Sequence, residues 1–291
     1  MLYPRDELVR PWSRLLDVIS ATIFPRRGNA ELIYEECVID DLPTEFDGFT
    51  IVVLADLHHR HPFHDLQWLR HAVDLSNAVR PDLVALLGDY GSSFRETPAL
   101  SRRWYAEGLM AMTPELQRLD ARQGIVAVLG NHDYYADANA VSQWLRRTGA
   151  QLLIDRAVLI DRAGALLRIA GLDDVREGKG SGLTYSGNDP EPPTIVLCHN
   201  PDGVLAVDVR VRVDIGIAGH THGGQIVLPW VGAPLTMSRA CGRHTAHGWI
   251  PNERAPLYVS RGLGEQLPLP VRLGSPPEIF VLRLKVGQQP A

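Results

Sequence analysis

Lysine is almost missing from this chain: Lys179 and Lys285 are the only two, and arginine carries nearly all the positive charge. That bias reads as genomic codon usage, not as function. With 34 acidic against 29 basic residues the net charge is −5, which excludes the broad basic footprint of a nucleic-acid binder. Cysteine is scarce too. Cys37, Cys198 and Cys241 are odd in number and far apart, which argues against a disulfide framework and for a reducing compartment such as the cytoplasm. They also offer no thiolate motif of the zinc-finger kind. No long apolar run is present over residues 1–27, so a signal peptide or spanning segment is not expected there. Internal repeats and low-complexity tracts are absent. What remains is an ordinary globular composition, 45% hydrophobic and 22% charged over 291 residues, with room for a sizeable core.

The N-terminal stretch carries a separate pattern. Between Pro11 and Pro25, Trp12, Leu15, Leu16, Ile19 and Ile23 fall on one helical face, with Val18 at its edge. Ser13, Arg14, Asp17 and Ser20 take the other face, and Arg5, Arg10, Arg26 and Arg27 flank the segment. Two readings stand for residues 12–24. The helix either lies in an anionic membrane surface, making the protein peripheral on the inner face, or docks on the protein's own core or a partner chain.

From about residue 47 the chain alternates apolar runs with helical patterns. Residues 49–55 read as a buried strand that delivers Asp56-Leu57-His58. Residues 66–79 read as an amphipathic helix, and 83–87 as a strand ending in Gly88-Asp89. A helix over 101–120 follows, then a strand over 125–129 ending in Gly130-Asn131-His132-Asp133. Asp137 is placed to cap a helix running to about Thr148. Short β-like runs come next, then a polar, Gly- and Pro-rich loop over 173–193 expected to be exposed and mobile. Residues 194–197 read as a strand ending in Cys198-His199-Asn200-Pro201. Residues 214–218 read as another, ending in Gly219-His220-Thr221-His222-Gly223-Gly224. Further β-like runs are expected over 225–228, 257–260 and 278–284, with an irregular insertion over 229–256. The pattern predicts an α/β fold, two sheets face to face with helices outside.

The strand ends carry the chemistry. Asp56 and His58, Asp89, Asn131 and His132, His199, and His220 with His222 follow five apolar strands in order, where open α/β sheets place their ligands. Two histidines one residue apart can face one cavity only if the backbone turns there, and can then serve two different metal ions. Carboxylate, imidazole and amide oxygen together suit a borderline divalent metal.

Asp56-x-His58, Gly88-Asp89, Gly130-Asn131-His132-Asp133, His199 and Gly219-His220-x-His222 resemble the signature of the calcineurin-like metallophosphoesterases. His199-Asn200-Pro201-Asp202, Gly219 to Gln225, Ser260-Arg261-Gly262-Leu263-Gly264 and Pro277-Glu278-Ile279 are similar to its YkuE/YaeI-type bacterial branch. The resemblance covers about residues 47–285. It divides the chain into residues 1–46, a helix and lead-in strand, and residues 47–291, a catalytic domain. It implies a four-layer α-β-β-α sandwich of two mixed sheets flanked by helices. By the same resemblance, one metal takes Asp56, His58 and His222, the other takes Asn131, His199 and His220, and Asp89 bridges them. Water activated between the metals then attacks phosphorus. His132 corresponds to the family's non-ligand histidine, which stabilises the phosphoryl charge or protonates the leaving group, and Asp133 is expected to orient it.

Other histidines are set aside: His59, His61 and His64 are expected in a solvated loop, and His244 and His247 in the insertion. The implied activity is hydrolysis of a phosphodiester or pyrophosphate with two divalent ions, Mn, Fe or Zn. A membrane-surface lipid precursor of UDP-diacylglucosamine type is one substrate reading. A soluble phosphodiesterase for cyclic nucleotides or other small diesters is the second. A non-catalytic binding scaffold is the third, disfavoured because no ligand residue is missing.

Overall fold

The structure, a computed structural model, describes residues 30–60, 64–93, 99–180, 182–183, 191–252, 254–266 and 271–287. The amphipathic pattern of residues 12–24 lies outside them. Strands β1 (Glu31–Ile39), β2 (Thr50–Leu54), β3 (Leu83–Leu86), β4 (Ile125–Ala127) and β5 (Gln151–Leu152) belong to one sheet. Strands β6 (Arg156–Arg162), β7 (Ala165–Gly171), β8 (Thr194–Leu197), β9 (Ile215–Ala218), β10 (Gly248–Ile250) and β11 (Leu257–Val259) form a second. The last strand, β12 (Glu278–Val286), returns to the first sheet, which runs β1-β12-β2-β3-β4-β5. Both sheets are mixed: β12 is antiparallel to β2 but parallel to β1, and β6 and β10 run antiparallel at the two edges of the second sheet.

The strand sequences decide how the sheets stack. Because side chains alternate across a strand, Ile51 and Val53 of β2 enter the core between the sheets, while Val52 and Leu54 face the helices. The inter-sheet core joins Ala85 and Val126 from one side to Ile169, Ile195, Leu197 and Ile217 from the other. Helices α1 (Gln67–Ala78), α2 (Ala99–Leu116) and, after the short α3 (Asn131–Ala136), α4 (Ala138–Arg147) cover the outer face of the first sheet. Asp137 caps α4 as expected: its Oδ1 accepts from the N–H groups of Asn139 and Ala140, both at 3.0 Å. The outer face of the second sheet is covered more thinly. A short helix, α5 (Asp202–Ala206), packs there with Val207, Val211 and Cys241. The α-β-β-α layering therefore holds, with one weak outer layer.

Three expectations change. The run at 225–228 is not a strand; it makes isolated bridges from Ile226 to Leu273 and from Leu228 to Gly232. Part of the supposed irregular insertion, β10, closes the edge of the second sheet. Residues 173–180 are not a plain mobile loop. Asp173 Oδ2 accepts from the N–H groups of Lys179 and Gly180, and Asp174 Oδ1 from those of Arg176 and Glu177, which folds the segment into compact turns.

Candidate metal centre

Five strands deliver the centre at their carboxyl ends. After β2 comes Asp56-Leu57-His58, after β3 Asp89, after β4 Asn131 and His132, after β8 His199, and after β9 His220 and His222. The strand ends are tied together: Asp56 N donates to Gly88 O at 3.2 Å, His58 N to Asp89 O at 2.9 Å, and Gly219 N to His199 O at 2.9 Å. The backbone is then bent to point side chains inward. Asp56, His58, Asp89, His220 and His222 have φ of +52°, +42°, +54°, +72° and +52°. Non-glycine residues rarely adopt that region, and clusters of them mark functional sites. Gly130 is required for a different reason: a Cβ there would overlap the Asp89 carboxylate.

All the candidate ligands meet. His199 Nε2 lies 3.0 Å from His220 Nδ1, 3.2 Å from Asn131 Oδ1 and 3.2 Å from Asp89 Oδ2. His58 Nε2 lies 3.1 Å from His222 Nε2 and 3.4 Å from Asp89 Oδ2, and His222 Nε2 lies 3.6 Å from Asp56 Oδ1. Asp56, His58 and His222 form one group able to hold a metal ion, and Asp89, His199 and His220 a second. Asp89 also joins His58 and His132 in a third such group. All of these side chains are buried.

The outer nitrogen of each ring fixes what the inner one can do. His199 Nδ1 faces Leu87 O at 2.9 Å, His220 Nε2 faces Met237 O at 3.3 Å, and His222 Nδ1 faces Gly264 O at 3.2 Å. A carbonyl can only accept, so those nitrogens carry the protons. Ser92 Oγ, 3.3 Å from His58 Nδ1, can accept in the same way. In the neutral rings the nitrogens that converge are therefore lone pairs, facing two carboxylates and an amide oxygen. Burial holds the pKa of His58 and His222 well below the ordinary imidazole value, and burial with the nearby His199 brings His220 down to about 3. His199 differs: burial opposes its charge, but Asp89 outweighs it and pushes the pKa up to about 10. Burial would raise Asp89 as well, yet His199 and His132 keep it well below the carboxylate range. Asp56 is pushed up to about 7 by burial. His199 therefore carries a second proton, on Nε2, and a divalent cation would take that proton's place among acceptors that suit it.

His132 stands at the edge of this cluster. Its Nδ1 lies 3.3 Å from the Ser93 N–H, which can only donate, so the proton of the neutral ring sits on Nε2. Gln266 Nε2 lies 3.2 Å from that Nε2, two donors that a half-turn of the amide would convert into an Nε2–H···Oε1 bond, and the Tyr135 ring meets the imidazole edge-on with centroids 5.4 Å apart. Asp133 does not orient this ring, contrary to expectation. Its carboxylate is taken up by the N–H groups of Asp89 (2.9 Å), Tyr90 (3.1 Å) and Gly130 (2.7 Å) and by Tyr105 Oη (2.5 Å). It binds the β3 and β4 loops together, and burial with the nearby Asp89 pushes its pKa up to about 7.

His59 is also corrected, and its neighbour Arg60 goes with it. Both are buried, not solvated, and Arg60 lies 3.9 Å from Glu265. His61 lies outside the described residues. Sequence reasoning missed Arg272. Its buried guanidinium donates to the carbonyls of Arg261, Gly262, Gly264, Ser275 and His222, which fastens the His222 turn to the 260–264 loop. It also missed Gln266, held by mutual amide–backbone bonds with Gln225 (2.7 and 3.2 Å). Gln225 closes the Gly219–Gln225 motif, and that was the available signal.

Comparison with known proteins agrees with this geometry. Residues 49–224 match the family model of the calcineurin-like phosphoesterases. The chain is 32% identical over 247 residues to the metallophosphoesterase YkuE of Bacillus subtilis (strain 168), covering 84% of this chain and 82% of that protein. It is 30% identical over 242 residues to the phosphodiesterase YaeI of Escherichia coli (strain K12), covering 81% and 82%. It is 26% identical over 302 residues to the UDP-2,3-diacylglucosamine pyrophosphatase LpxG of Chlamydia trachomatis, covering 84% and 86%. Among the described residues no helix is long and apolar enough to cross a membrane.

Proposed function

Because this chain belongs to the calcineurin-like phosphoesterase family and is a metal-dependent phosphoric ester hydrolase, we propose that it cleaves a phosphodiester or pyrophosphate bond at two metal positions. Asp56, His58 and His222 hold one cation, Asn131, His199 and His220 hold the other, and Asp89 is shared. One observation carries this reading. Four ring nitrogens converge on Asp56, Asp89 and Asn131, and the outer nitrogen of each ring is fixed by a carbonyl or hydroxyl.

The cations, when bound, supply a water of lowered pKa and positive charge for the phosphoryl oxygens. The chain's own residues do the rest. His132 presents Nε2–H toward the site, where it donates to a phosphoryl oxygen or to the leaving oxygen. The backbone N–H of Ser93 holds that ring in place. Asp133 keeps the loops of Asp89 and Asn131 at a fixed separation through buried bonds. The substrate we propose is a lipid-linked nucleotide pyrophosphate of UDP-diacylglucosamine type. The pyrophosphatase activity of the Chlamydia relative supports it, and the Escherichia relative supports diester cleavage.

The test is metal analysis of the purified full chain, followed by assays with and without Mn. Substrates are bis(p-nitrophenyl) phosphate, a cyclic nucleotide and a UDP-diacylglucosamine. Two metal equivalents and metal-dependent turnover are expected, greatest on the lipid pyrophosphate. Turnover confined to the cyclic nucleotide selects the soluble phosphodiesterase. Two bound metals without turnover on any substrate select the scaffold.

A further inference from the structure

The chain makes a long excursion between His222 and β10. It leaves the His222 turn, closes a tight loop at 228–232 and passes Met237 next to the His220 ring. Leu228 N donates to Gly232 O at 3.0 Å and Gly232 N to Leu228 O at 2.9 Å, which leaves Trp230 at the apex. Met237 O faces His220 Nε2 at 3.3 Å, so the excursion forms part of the mouth of the metal centre.

The loop exposes residues that water alone gives no reason to expose. Trp230 is 98% exposed, Leu235 71% and Met237 50%, with Leu228 and Val231 beside them. Trp230 and Met237 have φ of +63° and +57°, a strained backbone for bulky side chains. Across a cavity of about 860 Å³, exposed Val175 and Leu205 form the opposing wall.

Charge on the same stretch has one sign. From Gly223 to Asn252 the sequence holds no Asp or Glu, while Arg239 and Arg243 are present and exposed. This occurs in a chain that carries 34 acidic residues. Asp202, the carboxylate lining the cavity, spends Oδ1 on bonds from Ser238 Oγ and the N–H groups of Arg239 and Ala240. An apolar protein partner would account for Trp230 and Leu235 but not for the missing acids.

We infer that residues 228–243 are a membrane-docking surface. Trp230, Val231 and Leu235 enter the headgroup–acyl boundary of an anionic bilayer, and Arg239 and Arg243 lie against its phosphates. Tryptophan suits that boundary because its ring is apolar and its N–H is polar. The docking rests on the loop itself. Its consequence, that substrate is taken from the bilayer surface, rests on the function proposed above.

The experiment is co-sedimentation of the full chain with vesicles of phosphatidylcholine alone and of phosphatidylcholine with phosphatidylglycerol. The wild type is compared with Trp230→Ser/Leu235→Ser and with Arg239→Ser/Arg243→Ser. These side chains are exposed, and an unchanged circular-dichroism melt verifies the fold. Expected is binding to the anionic vesicles that weakens as salt rises. Each double variant is expected to lose about tenfold or more in partition, the equivalent of about 1.4 kcal/mol. Wild type left in the supernatant, or variants that sediment like the wild type, overturn the proposal. So does a wild-type dimer, dispersed by Trp230→Ser/Leu235→Ser, that ignores vesicles; the occupant is then a second copy. Hydrolysis of bis(p-nitrophenyl) phosphate by the wild type is read separately. Absence of turnover there and on the cyclic nucleotide and UDP-diacylglucosamine removes the proposed function without touching the docking result.

Discussion

The Nε2 atoms of His58 and His222 face each other at 3.1 Å across 164 positions of sequence. Neither ring turns away without giving up its outer partner, Ser92 Oγ for His58 and Gly264 O for His222. His199 and His220 repeat the arrangement at 3.0 Å. At His58–His222 two lone pairs held this close repel, whereas the second proton of His199 bridges its pair with His220; the repulsion exists only in the folded chain. Bound cations relieve it.

Chelation is therefore expected to lower thermal stability. A ligand present at a thousand times its Kd stabilises by about 4 kcal/mol. For a chain of this size that corresponds to a fall in Tm of roughly 7 °C when the metal is removed. Scanning fluorimetry of the full chain with Mn and with EDTA measures it. Identical melting curves would mean that the cluster holds no structural metal.

Asp89→Asn separates a shared carboxylate from an ordinary one. Asp89 Oδ2 lies within 3.4 Å of His58 Nε2 and 3.2 Å of His199 Nε2, one from each proposed site. Removing its charge is expected to weaken both sites, so the variant should hold well under two equivalents by elemental analysis. Retention of both metals with full turnover would show that the two positions do not share it.

Much of the centre was legible in the sequence because each ligand follows an apolar strand run, and a strand end fixes position. The short turns of Asp56, Asp89, His199 and His220 leave their side chains little choice of direction. Asp133 misled for a physical reason. It follows His132 directly, but in α3 its carboxylate turns back to cap Gly130 N and reach the β3 loop. Arg272 was illegible because its partners are carbonyls, and a carbonyl leaves no mark on a sequence. His59 and Arg60 look like a polar loop in sequence. Their burial depends on packing against residues distant in the chain, among them Glu265.

His132→Ala tests the proton donor. The ring lies beside His58 and Asp89, so a ligand role is the competing reading. As a donor its loss is expected to lower turnover by about 10²–10⁴-fold while both metals stay. Elemental analysis beside steady-state kinetics decides between the two. A variant that drops a metal equivalent identifies His132 as a ligand.

Tyr105→Phe tests Asp133 as a loop tie. Tyr105 Oη donates to Asp133 Oδ1 at 2.5 Å and accepts from Gly91 N at 3.3 Å, both buried. A bond to a charged buried acceptor contributes about 1.5–3 kcal/mol, so Tm is expected to fall by several degrees. Metal content should stay, because three backbone N–H groups still hold the carboxylate. An unchanged melt would show that the hydroxyl contributes nothing there.

Arg272→Met probes how the His222 turn is held. The guanidinium is buried, and burial lowers its pKa to about 10 against the opposing pull of Glu265 and Asp56, so it stays charged at neutral pH. Methionine fills much of the volume but supplies no donor, leaving carbonyls of Arg261, Gly262, Gly264 and His222 without this partner. His222 O keeps Gln225 N and Ser275 Oγ, Gly262 O keeps Glu278 N and Gly264 O keeps His222 Nδ1. The loss there is of one partner each, about 0.5–1.5 kcal/mol per bond, and Tm should fall. A purely structural role stops at that point. A role in placing His222 goes further, because the loosened Gly264 carbonyl no longer fixes His222 Nδ1. The Asp56–His58–His222 position is then expected to lose its metal while the His199–His220 position keeps one, so the variant should hold about one equivalent less than the wild type. Arg272→Lys restores the charge but not the planar fork of donors, and is expected to recover part of the stability and little of the lost metal. Full occupancy in the methionine variant would reduce Arg272 to a packing residue.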